Sequence, residues 1–213
     1  MTVAFKEKTA KVKKAEPALK PKKIPEALIY EIIEGEIFYR KGYKDVLEKR
    51  KKIEEIVGSS VFQSYLVAVI FKFLLRKIEE KKFTILSSEL GNNLNLKNNL
   101  SHDLAIFYRK SIQAELKEIK YAKTPPLVSI EVDVRADVEN SSQMAYIQKK
   151  TNKLLEFGVQ KVFWILSQQR LIMVCEKGKD WFLIPFEKPF TVIESIEINL
   201  DQLLKEEEKL SEG

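Results

Sequence analysis

The chain has 213 residues, 45% hydrophobic and 32% charged, enough to bury a sizeable core, and one compact domain is the default expectation. No stretch approaches the ~18 consecutive apolar residues of a membrane span, because residues 61–75 are broken by Gln63 and Lys72, so a soluble protein is expected. One cysteine, Cys175, excludes an internal disulfide framework and points to the cytoplasm, and one histidine, His102, excludes a zinc site built from several imidazoles.

The net charge of +6 sits entirely in residues 1–23, which hold eight lysines against Glu7 and Glu16, while the other 190 residues carry 29 basic and 29 acidic groups. This tail, with prolines at 17 and 21, is expected to be disordered, as a tolerated solubilising extension or as an arm that binds phosphates without reading sequence. In the second case most affinity for DNA would reside there. IYEIIEGEIFYR (29–40) alternates around Glu34-Gly35 and predicts a β-hairpin. A short charged helix is expected from Asp45 to about Val57. Gly58-Ser59-Ser60 then stops one helix and caps the next, VFQSYLVAVIFKFLLRKIEEK, which is apolar nearly all round and predicts a buried helix. FTILSSEL (83–90) reads as a strand and the Asn-rich GNNLNLKNNL (91–100) as irregular or turn-forming.

HDLAIFYR and LVSIEVDV predict two strands, QMAYIQKKTNKLLEF a helix closed by Gly158, and VQKVFWIL another strand, so that strand, helix and strand form a βαβ crossover. RLIMVCEKG, DWFLIPF and TVIESIEINL make a β-rich C-terminal third, followed by the solvated acidic piece LKEEEKLSEG. The expected architecture is therefore α/β, with a mixed sheet flanked by helices. The seven glycines form no phosphate-cradling loop.

Two acids interrupt the apolar run PPLVSIEVDV. Strand alternation puts Ser129, Glu131 and Asp133 on one face and Val128, Ile130, Val132 and Val134 on the other. A half-exposed strand would do this without functional meaning. Asp103, however, opens another strand that should be buried, and carboxylates converging from adjacent strands need a cation among them, with oxygen-only ligands pointing to Mg²⁺ or Mn²⁺. On the helix after the second strand, ~100° per residue places Lys150 at about −60° from Ile147, inside the apolar arc, whereas Lys149 and Lys153 fall on the polar side. Lys150 either snorkels from the edge of that face or meets the acids. His102 reads as a residue leading into its strand rather than a catalyst.

Asp103, Glu131 and a nearby lysine resemble the PD-(D/E)XK nuclease-like superfamily, in which two acids hold a metal ion and a lysine assists the attacking water. The usual lysine position, two residues after the second acid, is Asp133 here. That departure resembles the standalone restriction-endonuclease-like proteins of the Uma-two family, whose lysine comes from the following helix; IYEIIEGEIF, HDLAIF, PPLVSIEVDV and KKTNKLLEFGVQKVFWIL are similar to that family and select Lys150. The similarity covers about residues 26–200. It departs at Leu154, where a tyrosine is frequent, at His102 in place of a proline, at Asp133-Val134 in place of Leu-Ser, and at Phe62-Gln63, where a histidine is usual.

The resemblance implies a restriction-endonuclease-like domain over residues 24–204 between the basic tail and an acidic tail at 205–213. It implies metal-dependent hydrolysis of phosphodiester bonds in DNA. Asp103 and Glu131 would be ligands of Mg²⁺ or Mn²⁺, Asp133 an added ligand or one acting through water, and Lys150 the group that polarises water or stabilises phosphorane charge. The other expectation is a catalytically silent relative acting as a binding or scaffold subunit, and a homodimer is left open.

Overall fold

The computed structural model describes residues 24–95, 98–137 and 143–211. The basic tail expected at 1–23 lies outside these residues. The predicted hairpin is present as β1 (Ile29–Ile33) and β2 (Glu36–Tyr39), turning at Glu34 and Gly35, both with positive φ. The single charged helix expected at 45–57 is instead two short pieces, α1 (Tyr43–Leu47) and α2 (Glu54–Val57). Left-handed Lys49, at φ 61°, breaks the run, and the Asp45 carbonyl takes the amides of Arg50 and Lys51.

Helix α3 (Val61–Lys77) starts where the Gly-Ser-Ser signal places it: Ser60 Oγ accepts from the Gln63 amide at 3.1 Å, a cap worth about 1 kcal/mol. It is buried on one side only, through Gln63, Leu66, Val69, Ile70 and Leu74, while Val61, Phe62, Tyr65 and Leu75 remain exposed. The Asn-rich segment is a second departure. It extends β3 (Phe83–Asn95), which forms a long antiparallel ladder with β4 (Asn98–Tyr108), so its backbone groups are satisfied by pairing despite poor strand propensity. After α4 (Arg109–Ile112) come β5 (Val128–Val132), α5 (Gln143–Phe157) and β6 (Lys161–Leu166). These are the predicted crossover, with β5 and β6 parallel. Gly158 ends α5 at φ +124°, and an added Cβ would lie 2.9 Å from Pro125, so only glycine closes this turn without displacement.

The sheet runs in the order β2-β1-β4-β5-β6, with β3 also on β4, and continues through β7 (Leu171–Glu176) and β8 (Phe182–Pro185). A separate pair, β9 (Phe190–Ile193) and β10 (Ile196–Ile198), completes the β-rich C-terminal part. The acidic end runs into the second half of α6 (Leu200–Ser211), a helix anchored by buried Leu200, Leu203 and Leu204 and by Glu207 on Lys72 at 2.7 Å. Two apolar layers sandwich the sheet. One joins α3 and α6 to Leu104, Ile106, Val128, Ile130 and Val132; the other joins α5 to Ile33, Leu100, Val162 and Trp164. Among the described residues no helix is long and apolar enough to cross a membrane.

Candidate active site

Strand β5 is buried along its whole length. Its three valine and isoleucine positions fill the layer under α3, so alternation turns Ser129 and Glu131 toward α5. Lys150 comes down from α5 onto this face, fully buried, and its ammonium donates to Glu131 Oε2 and Glu31 Oε1, each at 2.9 Å. The ammonium also lies 5.6 Å from the Trp164 ring centroid. Glu31, from β1, accepts at the same Oε1 from the Ser101 amide and hydroxyl, both at 3.0 Å, and at Oε2 from the Tyr146 hydroxyl. One cation thus joins strands that lie 100 positions apart in the chain.

Charge pairing outweighs burial here. Burial alone would drive the Lys150 pKa down, yet Glu131 and Glu31 hold it well above the usual lysine value, so it remains an ammonium. Burial would likewise raise Glu131, but Lys150 and His102 bring it down to about 2. Asp103 behaves in the opposite way. Burial first, then the Glu131 charge, push it up to about 6, with Arg135 and the Val132 amide only partly offsetting them. Its Oδ2 accepts from the Val132 amide at 2.8 Å, and its Oδ1 faces the Arg135 guanidinium at 3.1 Å. Arg135 continues to Glu89 and to Ser59 Oγ at 2.9 Å.

His102 is not merely a residue leading into β4. It is buried within the strand, with Nδ1 2.6 Å from Ser129 Oγ and Nε2 against the Asn92 amide. Ser129 Oγ donates to Glu131 Oε1 at 2.7 Å, so it accepts from His102, and imidazole and hydroxyl together orient the carboxylate. Alternation along β4 would send His102 to the same side as Leu104. Leu100 instead lies in the α5 layer and Leu104 in the α3 layer, and the parity changes opposite Ser88 and Glu89, two residues with positive φ at a register shift in β3. Gln63, where the resemblance has a histidine, donates to the Val132 carbonyl at 2.6 Å.

The structure joins Lys150 to Glu131 directly and sets Asp103 on the neighbouring strand, near enough for the Glu131 charge to act on it, whereas the Asp133 carboxylate turns to another partner. β5 ends at Val132, and Asp133, at φ 58°, turns out of the pleat so that alternation no longer applies. Its carboxylate accepts from the Ser167 amide at 2.8 Å and hydroxyl at 2.6 Å. Asp133→Asn, which tolerates the left-handed backbone and keeps an acceptor, should cost no more than about 1 kcal/mol, and Asp133→Ala about 2 kcal/mol. Denaturant unfolding checks both. Loss of Mn²⁺ binding in Asp133→Asn would restore the expected ligand role.

Glu31, His102, Gln63 and Arg135 were not singled out as site residues by sequence. Glu31 carried a readable signal, an acid inside the apolar run IYEII, the same kind that marks Glu131. Among the described residues no three His, Cys, Asp or Glu side chains form a ready metal cage. The oxygens of Asp103 and Glu131 are of the kind Mg²⁺ takes, since that ion commonly uses one or two carboxylates and completes its sphere with water and substrate phosphate.

No family model matches the chain, and no curated protein matches it. Among solved structures, a protein from Anabaena variabilis ATCC 29413, described as a "putative nuclease belonging to DUF820", is similar with a TM-score of 0.56 and 16% identity, over 82% of this chain and 89% of that one. The likeness is one of fold, a mixed sheet flanked by helices.

Proposed function

We propose that this chain is a metal-dependent endonuclease of PD-(D/E)XK type, related to the Uma-two branch, that hydrolyses phosphodiester bonds in DNA. The observation that carries the reading is Lys150, buried as an ammonium between Glu131 and Glu31 on a nuclease-like sheet with Asp103 on the neighbouring strand. The raised Asp103 pKa supports it further, because the rise comes first from burial and then from the Glu131 charge, and a cation between the two carboxylates would offset both. Asp103 and Glu131 would hold Mg²⁺ or Mn²⁺, which when bound supplies a Lewis acid for a phosphoryl oxygen and acidifies water.

The chain's own groups have separable tasks. Lys150 stays protonated and so cannot serve as a base; fully buried, with two of its three N–H donors on Glu131 and Glu31, it would act by orienting the Glu131 carboxylate and by setting a positive charge behind the reacting centre. Ser129 and His102 fix the Glu131 carboxylate, and Gln63 anchors the strand end at Val132.

The test is plasmid nicking in Mg²⁺ or Mn²⁺, together with Mn²⁺ calorimetry. Wild type should bind the ion and nick. Glu131→Gln should lose nicking by several orders of magnitude, and Asp103→Ala should lose Mn²⁺ binding. A wild type that neither binds the ion nor nicks would leave the silent binding subunit as the reading.

A further inference from the structure

Two guanidinium groups share one aromatic ring beside the site. Arg40 lies 5.7 Å and Arg135 5.4 Å from the Tyr30 ring centroid, and their segments are joined by the Arg40–Ala136 bridge and by the Lys41 amide on the Arg135 carbonyl. The Nε of each arginine is buried and has no acceptor. Arg40 has no ion pair or side-chain hydrogen bond among the described residues, so none of its five N–H donors meets a side-chain acceptor. The enclosed Nε atoms cannot themselves be reached by a ligand, but Arg40 is only half-buried and its guanidinium has no counter-ion among the described residues, so an anion would be taken by its terminal N–H groups. The guanidinium fork matches phosphate bidentately. Tyr30 precedes Glu31 in β1, whose carboxylate takes the Lys150 ammonium, so the ring lies close along the chain to the buried cluster.

We propose that Arg40 and Arg135, splayed on Tyr30, form a phosphate-binding site at the rim of the Asp103–Glu131–Lys150 cluster that grips the phosphodiester backbone of a nucleic acid. Arg135 already touches Asp103, so a phosphate bound there lies next to the proposed reacting centre. The inference deepens the nuclease reading and rests on it for the identity of the occupant. The contact positions the strand without reading bases, because phosphates carry no sequence.

The experiment uses the full chain in chelator, where no cleavage occurs, and follows a fluorescein-labelled oligonucleotide by anisotropy across a salt series. Arg40→Gln is expected to weaken binding roughly 3–10-fold and to lower the slope of log affinity against log salt by about 1. Arg40→Lys, which keeps the charge, should retain the slope. Inorganic phosphate and a mononucleotide, added as competitors, distinguish a site for free phosphate from one for the polymer. Displacement of the oligonucleotide by millimolar mononucleotide would overturn the backbone assignment, as would wild-type affinity and slope in Arg40→Gln, or no binding by wild type. If Arg40→Gln loses affinity while wild type never nicks plasmid, the phosphate site stands and the nuclease reading falls. If wild type nicks and Arg40→Gln binds and nicks equally well, the reverse holds.

Discussion

Lys150→Met is expected to lower the unfolding free energy by about 3–5 kcal/mol at pH 8, because it removes the shared cation of two buried carboxylates while keeping the side-chain volume. In a chain of this size that corresponds to a fall in Tm of roughly 6–20 °C. The pH dependence follows from the directions of the shifts. Lys150 is raised from 10.5, so its pairing stabilises the fold fully below that pH and is lost only above it. Glu131 is lowered from 4.5 to about 2, so its contribution is present above pH 4.5 and disappears as the pH falls through the lower value. Wild type therefore keeps the whole interaction between these limits. In the variant, Glu31 and Glu131 face each other without a cation, and proton uptake by one of them relieves the repulsion as the pH falls, so the deficit should shrink toward pH 5. Adding Glu131→Gln to Lys150→Met should recover part of the loss. Thermal and denaturant unfolding at pH 5 and pH 8 test this, and a Lys150→Met protein within about 1 kcal/mol of wild type at pH 8 would mean that the ammonium is not the link between β1 and β5.

Asp103→Asn should act in the opposite direction on stability and, on the proposed nuclease reading, abolish nicking. The folded-state pKa of about 6 lies above the ordinary value of 3.8, so wild type is fully stabilised below 3.8 and loses that stability as the pH rises through 6. The full difference corresponds to about 3 kcal/mol, and loss of the Arg135 contact offsets part of it. Asparagine keeps an acceptor for the Val132 amide without the buried charge. At pH 8 in chelator the variant should be more stable by about 1–2 kcal/mol, roughly 2–8 °C in Tm, with the gain gone below pH 4. Mg²⁺ or Mn²⁺ should raise the Tm of wild type but not of Asp103→Asn, and nicking should be lost. A variant less stable than wild type at pH 8 would show that Asp103 is a structural partner of Arg135 rather than a strained site carboxylate.

Much of this arrangement was legible in order along the chain. The period-2 pattern of LVSIEV turned Ser129 and Glu131 away from the valines and isoleucine, and the helical period of QMAYIQKKTNKLLEF put Lys150, not Lys149 or Lys153, on the sheet face. The βαβ unit that brings them together was equally readable, because a helix of crossover length between two apolar strands has one dominant handed solution. These are local periodicities, properties of a segment whatever surrounds it.

What lay beyond the sequence depended on which strands became neighbours. Glu31 reaches Lys150 only because β1 pairs with β4 in the same sheet, and no local pattern specifies that pairing. His102 turns inward because of a register shift on the opposing strand, and the Asn-rich segment is a strand because β4 offers it a ladder. Asp133 fails the alternation that placed Glu131 because β5 stops one residue earlier and its carboxylate finds Ser167, 34 positions away. Sequence by itself determined which face each side chain takes within an element. Tertiary structure alone decided which carboxylates share a cation, since burial and partners across strands set where a charge is tolerated.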